Sequence, residues 1–255
     1  MFALANEDLD GARILDCPSG AASFVAEANA RTATAVAADP VFALDDIEVG
    51  RRAREDLDRC DEHMHAAFEN YVWDFYESPN AHTRRRLAAL ARFRDDLAAN
   101  PDAYVPARLP RLPFANGEFG LGLSSHFLFC YADRLDLRFH LLSIRELARV
   151  SKEVRIYPVV GHDGTPYVDL THLRRVLRRD GYDTELVAVE MRFLEGADAM
   201  LVVRGRSRGK RKPGQTRGPF GALLKRTADT LDGITDDQTT QTSPGATSET
   251  HQHGT

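Results

Sequence analysis

The first forty residues constrain this chain more than any other stretch. Residues 13 to 17 (RILDC) form a short apolar run ending in an acid. The PSGAA turn of residues 18 to 22 follows, then a helical stretch that Ser23 can cap and that is expected to run to about Ala33. TATAVAAD, from Thr32 to Asp39, is a second apolar strand, stopped by Pro40. Strand, tight turn, helix and second strand in this order are the opening of a parallel α/β sheet. In such sheets ligands bind at the carboxyl ends of strands, where the strand order reverses. Asp16, Gly20 and Asp39 are therefore the first candidates for binding. Glycine at the turn lets the backbone approach a ligand that a Cβ would push away. Asp39 ends the second strand, where a carboxylate can accept hydrogen bonds from both hydroxyls of a ribose.

The rest of the chain continues the alternation, with one interruption. Residues 43–100 are rich in Asp, Glu, Arg and Ala, and apolar residues recur at three- and four-residue spacing (Leu57, Met64, Phe68, Tyr71, Val72, Phe75). This predicts a helical insert of two or three amphipathic helices, broken at Ser78–Asn80 and ended at Asn100–Pro101. Strands are expected over 118–125 and 153–159, and helices over 136–150 and 169–180, the last closed by Gly181. The 136–150 helix should bury Leu137, Leu141, Ile144, Leu147 and Ala148. TELVAVE and AMLVVRG end the pattern as two strands of an antiparallel hairpin. The expected fold is a three-layer α/β/α Rossmann-like sheet, mainly parallel with an antiparallel terminal hairpin, over residues 1–204. Residues 205–255 are basic, then polar, with too few apolar side chains to offset chain entropy, and are expected to be disordered.

Composition removes several function classes. The net charge of −5 gives no global reason to bind nucleic acid or an anionic membrane. Only residues 204–217, with seven Lys or Arg and no acid, offer a basic patch for phosphate. Cys17, Cys60 and Cys130 lie far apart, which fits neither a disulfide framework nor a zinc site and suits a reducing cytoplasm. His63 and His65 stand two apart, on different faces of a helix, so no metal site is expected. The acidic N-terminus does not read as a signal peptide, and no apolar run nears the ~20 residues of a membrane span.

The ordered motifs carry a resemblance. ILDCPSGAASFVAEA with VAADP resembles the first motif and following acid of class I S-adenosylmethionine-dependent methyltransferases. LPRLPFANGEFGLGLSSHFLF resembles their LPF segment leading into the fourth strand, and HLLSIRELARVSKEVRIYPVV their next helix and strand. The terminal hairpin matches their sixth and seventh strands. Two positions depart from the pattern. Pro18 and Ala22 stand where the loop usually has glycine, and Gly120 stands where an acid usually follows Phe near the cofactor.

The resemblance implies S-adenosylmethionine as cofactor and a small-molecule methyl acceptor. It also admits a noncatalytic binding protein that keeps the fold, or an RNA or protein methyltransferase that docks through the basic tail. Asp16, Pro18, Gly20 and Asp39 would hold the cofactor, with Leu112 and Pro113 against its purine. Ser124 and Ser125 would face the methyl group, and His126 would act as base or position the acceptor. A hydrogen-bonded structural histidine is the alternative for His126. Arg155 should pair with Glu153 or Glu146. Tyr131 either closes the pocket or packs in the core. Tyr71, Trp73 and Tyr76 of the insert are placed to cover the site and shape an acceptor pocket, or simply to decorate it.

Overall fold

Alternate residues of the first strand feed two different cores, and that alternation organises the molecule. The computed structural model describes residues 1–205. In strand β1 (Arg13–Asp16), Ile14 packs with Val25, Ala28 and Phe93, while Leu15 packs with Phe119, Ile144, Leu147 and Val154. The period of two sends neighbouring side chains to opposite sheet faces. Helices α1 (Phe24–Asn29), α2 (Asp46–Ala66) and α3 (Pro79–Ala99) cover the Ile14 face. Helices α4 (Leu137–Val150) and α5 (Leu170–Arg179) cover the Leu15 face.

The other strands are β2 (Thr34–Ala38), β3 (Tyr104–Val105), β4 (Phe119–Ser125), β5 (Ser151–Tyr157), β6 (Tyr182–Ala188) and β7 (Ala199–Gly205). Their order is β3-β2-β1-β4-β5-β7-β6. The first five are mutually parallel, and β7 runs antiparallel to both β5 and β6. This is the expected α/β/α sheet with its terminal hairpin. The order reverses between β1 and β4, so the binding crevice opens there.

Several elements differ from expectation for local reasons. Helix α1 stops at Asn29 rather than near Ala33. The Asn29 side-chain amide donates to the Ala35 carbonyl (3.1 Å) and accepts from the Ala35 amide (2.6 Å), so it serves the strand instead of the helix. Ser78–Asn80 begins a helix as well as separating two. Ser78 Oγ accepts the Ala81 amide at 3.2 Å and Pro79 occupies the first turn. Strand β5 starts directly after α4 and ends before Pro158, two residues earlier than expected. Helix α4 buries His140, Ser143, Ile144, Leu147 and Val150, whereas Leu137, Leu141 and Ala148 are only partly covered. Edge strand β3 has two residues, too few to show a period. Gly181 closes α5 at φ +95°, a conformation other residues adopt only with strain. The tail from residue 206 onward lies outside the described residues.

Candidate functional site

Asp16 ends β1 and Asp39 directly follows β2, beside the reversal of strand order. Asp16 is 5% exposed. Burial raises its pKa to about 7, the negative charge of Asp39 adds to the rise, and the nearby Ser19 hydroxyl pulls against it. That hydroxyl is itself buried and makes no well-aligned hydrogen bond. Asp39 is also pushed up by burial, and its two backbone hydrogen bonds and the Arg108 charge oppose the push. Its Oδ2 accepts the Gly20 amide and its Oδ1 accepts the Val41 amide, both at 2.9 Å. Gly20 sits at φ +54°, and no atom lies within 4 Å of where a Cβ would stand. The turn therefore needs glycine for its backbone angle, and the space beside it is open. Pro18, half-buried, brings no amide to this turn.

The LPF segment is anchored to α4. The Leu112 amide donates to Glu146 Oε1 (2.7 Å), and Arg149 donates to the carbonyls of Leu112 (3.1 Å) and Phe114 (2.9 Å). Leu112 is buried in the cluster that contains Cys17 and Ala38, while Pro113 is exposed. The stretch that runs past Asp39 is instead 105–108. The Asp39 amide donates to the Val105 carbonyl (3.2 Å) and the Ala107 amide to the Asp39 carbonyl (3.4 Å). Arg108 beside Asp39 has no local sequence signal that would have marked it.

Across the crevice, β4 delivers Ser124, Ser125 and His126. The Ser124 hydroxyl is buried with no hydrogen-bond partner. Ser125 Oγ lies 2.7 Å from His126 Nδ1 and 3.3 Å from Met1 Sδ. His126 has φ +49°, donates its amide to the Tyr157 carbonyl (2.7 Å) and sets its ring edge-on to Tyr157 at 5.4 Å. Non-glycine residues in this conformation are strained and concentrate at functional sites. Protein atoms crowd the imidazole and depress its pKa to about 4, with the positive charges of Arg86 and His162 acting in the same direction. His126 itself is exposed, between buried Ser124 and buried Leu128. A base poised near neutral pH was expected here. The shift runs against that expectation: the ring takes up a proton less readily than a free imidazole.

Gly120 changes meaning once placed. It is the second residue of β4, beside the Arg13 carbonyl at the start of β1. At about 3.3 Å per residue it stands roughly 16 Å from Ser125. An acid there would sit at the opposite end of the strand from the crevice.

No family model matches the chain. The uncharacterized protein MJ0045 of Methanocaldococcus jannaschii is 30% identical over 205 residues, spanning 80% of this chain and 90% of that one. The chain belongs to the family of that protein. Solved structures similar to it include magnesium protoporphyrin IX methyltransferase (ChlM) from Synechocystis with bound SAM, at 11% identity over 79% of this chain and 73% of that one (TM-score 0.41). A SAM-dependent methyltransferase from Methanosarcina mazei is 11% identical over 77% of this chain and 93% of that one (TM-score 0.44). The fold assignment rests on the strand order itself.

In this family member the insert packs against the connection between β6 and β7. Tyr71, Trp73 and Tyr76 gather around Phe193, with ring centroids 4.9, 5.5 and 4.9 Å away. His82 stacks on Phe193 at 4.8 Å. The Val72 amide donates to the Phe193 carbonyl at 2.8 Å, tying the insert to the β6–β7 connection. Nothing local in the sequence links Phe193, His82 or Arg86 to residues 124–126. Tyr131 is half-buried and edge-on to His162 at 4.7 Å. Arg155 pairs with Glu153 (2.7 Å), as one expectation had it, and with Asp8 (3.0 Å) rather than Glu146. It also donates to the carbonyls of Phe2 (3.0 Å) and Ala3 (3.3 Å).

His63 and His65 lie exposed on α2, and no group of three potential ligands gathers among the described residues. No described helix is long and apolar enough to cross a membrane. Of the basic stretch, Arg204 pairs with Glu153 and Glu185. Residues 206–217 lie outside the described residues.

Proposed function

We propose that the protein is an S-adenosylmethionine-dependent methyltransferase acting on a small-molecule acceptor, through a domain spanning residues 1–204. The observation that carries this reading is the hydrogen bond from the Gly20 amide to Asp39, which joins the turn after β1 to the acid after β2 at the switch point.

The residues present suit such a ligand. Each Asp39 oxygen accepts one amide and keeps acceptor capacity for a ribose hydroxyl. The space beside Gly20 is open. The Ser124 hydroxyl, at the end of β4, is buried and makes no hydrogen bond within the protein. When bound, the cofactor supplies a methyl group on a sulfonium sulfur for in-line transfer. In this reading Asp16 takes the ammonium end of the amino acid, and the positive charge draws off the proton that burial leaves on Asp16. Pro18 and Gly20 pass along the ligand, and Leu112 and Pro113 flank the purine. Ser124 and Ser125 face the acceptor side. His126, neutral and hydrogen-bonded to Ser125, positions the acceptor and takes a proton only from an acidic group.

Pro18, which removes an amide from the loop, and the low basicity of His126 also favour a second reading, a noncatalytic S-adenosylmethionine-binding protein. Calorimetry with S-adenosylmethionine, S-adenosylhomocysteine and NAD decides first. Failure of both sulfur nucleosides to bind removes both readings. Binding, followed by an assay for transfer of a labelled methyl group to a panel of acceptors, separates them. Docking of RNA or protein through the basic tail is tested by deleting residues 205–255; an unchanged affinity and salt dependence exclude it.

A further inference from the structure

Helix α5 reads LTHLRRVLRR, with four arginines and no acid. Its Leu173 and Leu177 are fully buried in the core on the Leu15 face. The helical period therefore turns the arginines outward. Arg175, Arg178 and Arg179 are exposed and Arg174 is half-buried. None of the four forms an ion pair among the described residues, and Arg175 meets only the His172 ring (2.9 Å to Nδ1). The acids nearest in sequence are engaged or turned away. Asp180 accepts from Arg145 Nε at 2.9 Å. Tyr182 packs in the α5-side core and Val187 in the core of the opposite face, so the strand's period of two sends Asp183 and Glu185 away from α5. Glu185 pairs there with Arg204 (3.0 Å). Arg174 and Arg178 both donate to the Thr184 carbonyl, at 3.2 and 3.0 Å, which holds two guanidiniums side by side with N–H groups to spare. Arg174 Nε is buried without a hydrogen-bond partner. Burial, and then the charge of Arg178, lower the Arg174 pKa, as expected of positive charges gathered without a counter-charge.

We propose that this face of α5 docks the phosphate backbone of double-stranded DNA. The surface is separate from the methyltransferase reading. β6 runs parallel to β5, so the last turn of α5, just before β6, lies at the end of the sheet away from the crevice. From Arg174 to Arg179 the helix rises about 7.5 Å. A duplex carries one charge per about 1.7 Å of its axis, so that length faces about four phosphates. A guanidinium takes a phosphate in a two-pronged hydrogen bond. The helix has no Phe, Tyr or Trp to stack on unpaired bases, which argues against single-stranded RNA. Its leucines are already buried in the core, so it has no apolar face to lay into a lipid surface.

The experiment titrates the full-length protein into a short fluorescein-labelled DNA duplex, read by fluorescence anisotropy over a series of salt concentrations. Affinity should fall steeply as salt rises. Combining Arg175→Gln with Arg179→Gln removes two exposed charges and leaves the two donors to Thr184 in place. Binding should weaken about tenfold, and the salt slope should drop by about 1.8, or about 0.9 per charge. Combining Arg175→Lys with Arg179→Lys keeps both charges and should keep most of the slope. Melting temperatures equal to that of the parent show that both variants fold. Residues 206–217 are also basic and are present in every protein compared. If they carry all of the binding, the Gln variant matches the parent in affinity and slope, and the proposal falls. Absence of duplex binding, or tighter binding to a single-stranded RNA of equal length or to phosphatidylserine vesicles, overturns it as well.

Discussion

The Gly20 amide donates to Asp39 at 2.9 Å, and this contact ties the turn after β1 to the end of β2. A single carboxylate thus sets the shape of the loop and, in the proposed function, holds the ribose.

Replacing Asp39 tests both roles. Asp39→Ala removes the acceptor for Gly20 and for Val41, where Asp39 caps a short 3-10 helix. Loss of such a cap costs about 1 kcal/mol. Affinity for S-adenosylhomocysteine should fall at least tenfold by calorimetry. An unchanged affinity would place the ribose elsewhere.

Asp16 predicts an unusual pH dependence of stability. The folded protein keeps a proton on Asp16 up to about pH 7, whereas the unfolded chain releases it near 3.8. The folded state therefore holds more protons between these values, and stability from this group is lost as pH rises through them. Asp16→Asn cannot ionise. Its melting temperature should exceed that of the parent by at least about 4 °C at pH 8, and the gap should narrow at pH 5. Equal gaps at both pH values would contradict the burial argument.

His126 carries the opposite sign. Its pKa is held down near 4, so in the folded state it stays neutral where the unfolded chain is already protonated. Its contribution to stability is lost as pH falls from 6.5 toward 4. Proton NMR of the ring, assigned by Asn substitution, should show no titration between pH 6 and 8. A midpoint near 6.5 would mean that the ring is not crowded, and would restore it as a base for neutral pH.

Arg155 holds the segment before β1. It is the partner of Asp8, Glu153 and the carbonyls of Phe2 and Ala3. Its side chain is 13% exposed, so removing it leaves acids and carbonyls without a donor in a poorly solvated place. Arg155→Met should lose about 3 kcal/mol of stability, and hydrogen exchange should accelerate over residues 3–9. Unaltered exchange there would show that the segment is held by Phe2 against Tyr157 alone.

Much of the fold is legible in sequence because its signals are local. RILDC and TATAVAAD alternate or run apolar, Asp136 caps α4 by accepting the Phe139 amide at 2.7 Å, and Gly181 stands where a helix must end. Each reflects a free-energy preference within a few residues. Strand β3 escaped because two residues show no period. The pairing of Asn29 with Ala35 escaped because it trades a helical bond for one across a turn.

The sequence by itself determined the strand–turn–helix–strand unit, its two acids and its glycine, the helical insert and the closing hairpin. Tertiary structure alone decided which of these groups share a crevice and what charge they carry. Arg86 and His126 lie forty residues apart, and Phe193 is farther still from the ring of His82 that it stacks on. The upward shift of the Asp16 pKa and the downward shift at His126 follow from the atoms packed around them. Burial of a group is a property of everything that covers it, and no window of sequence contains that information.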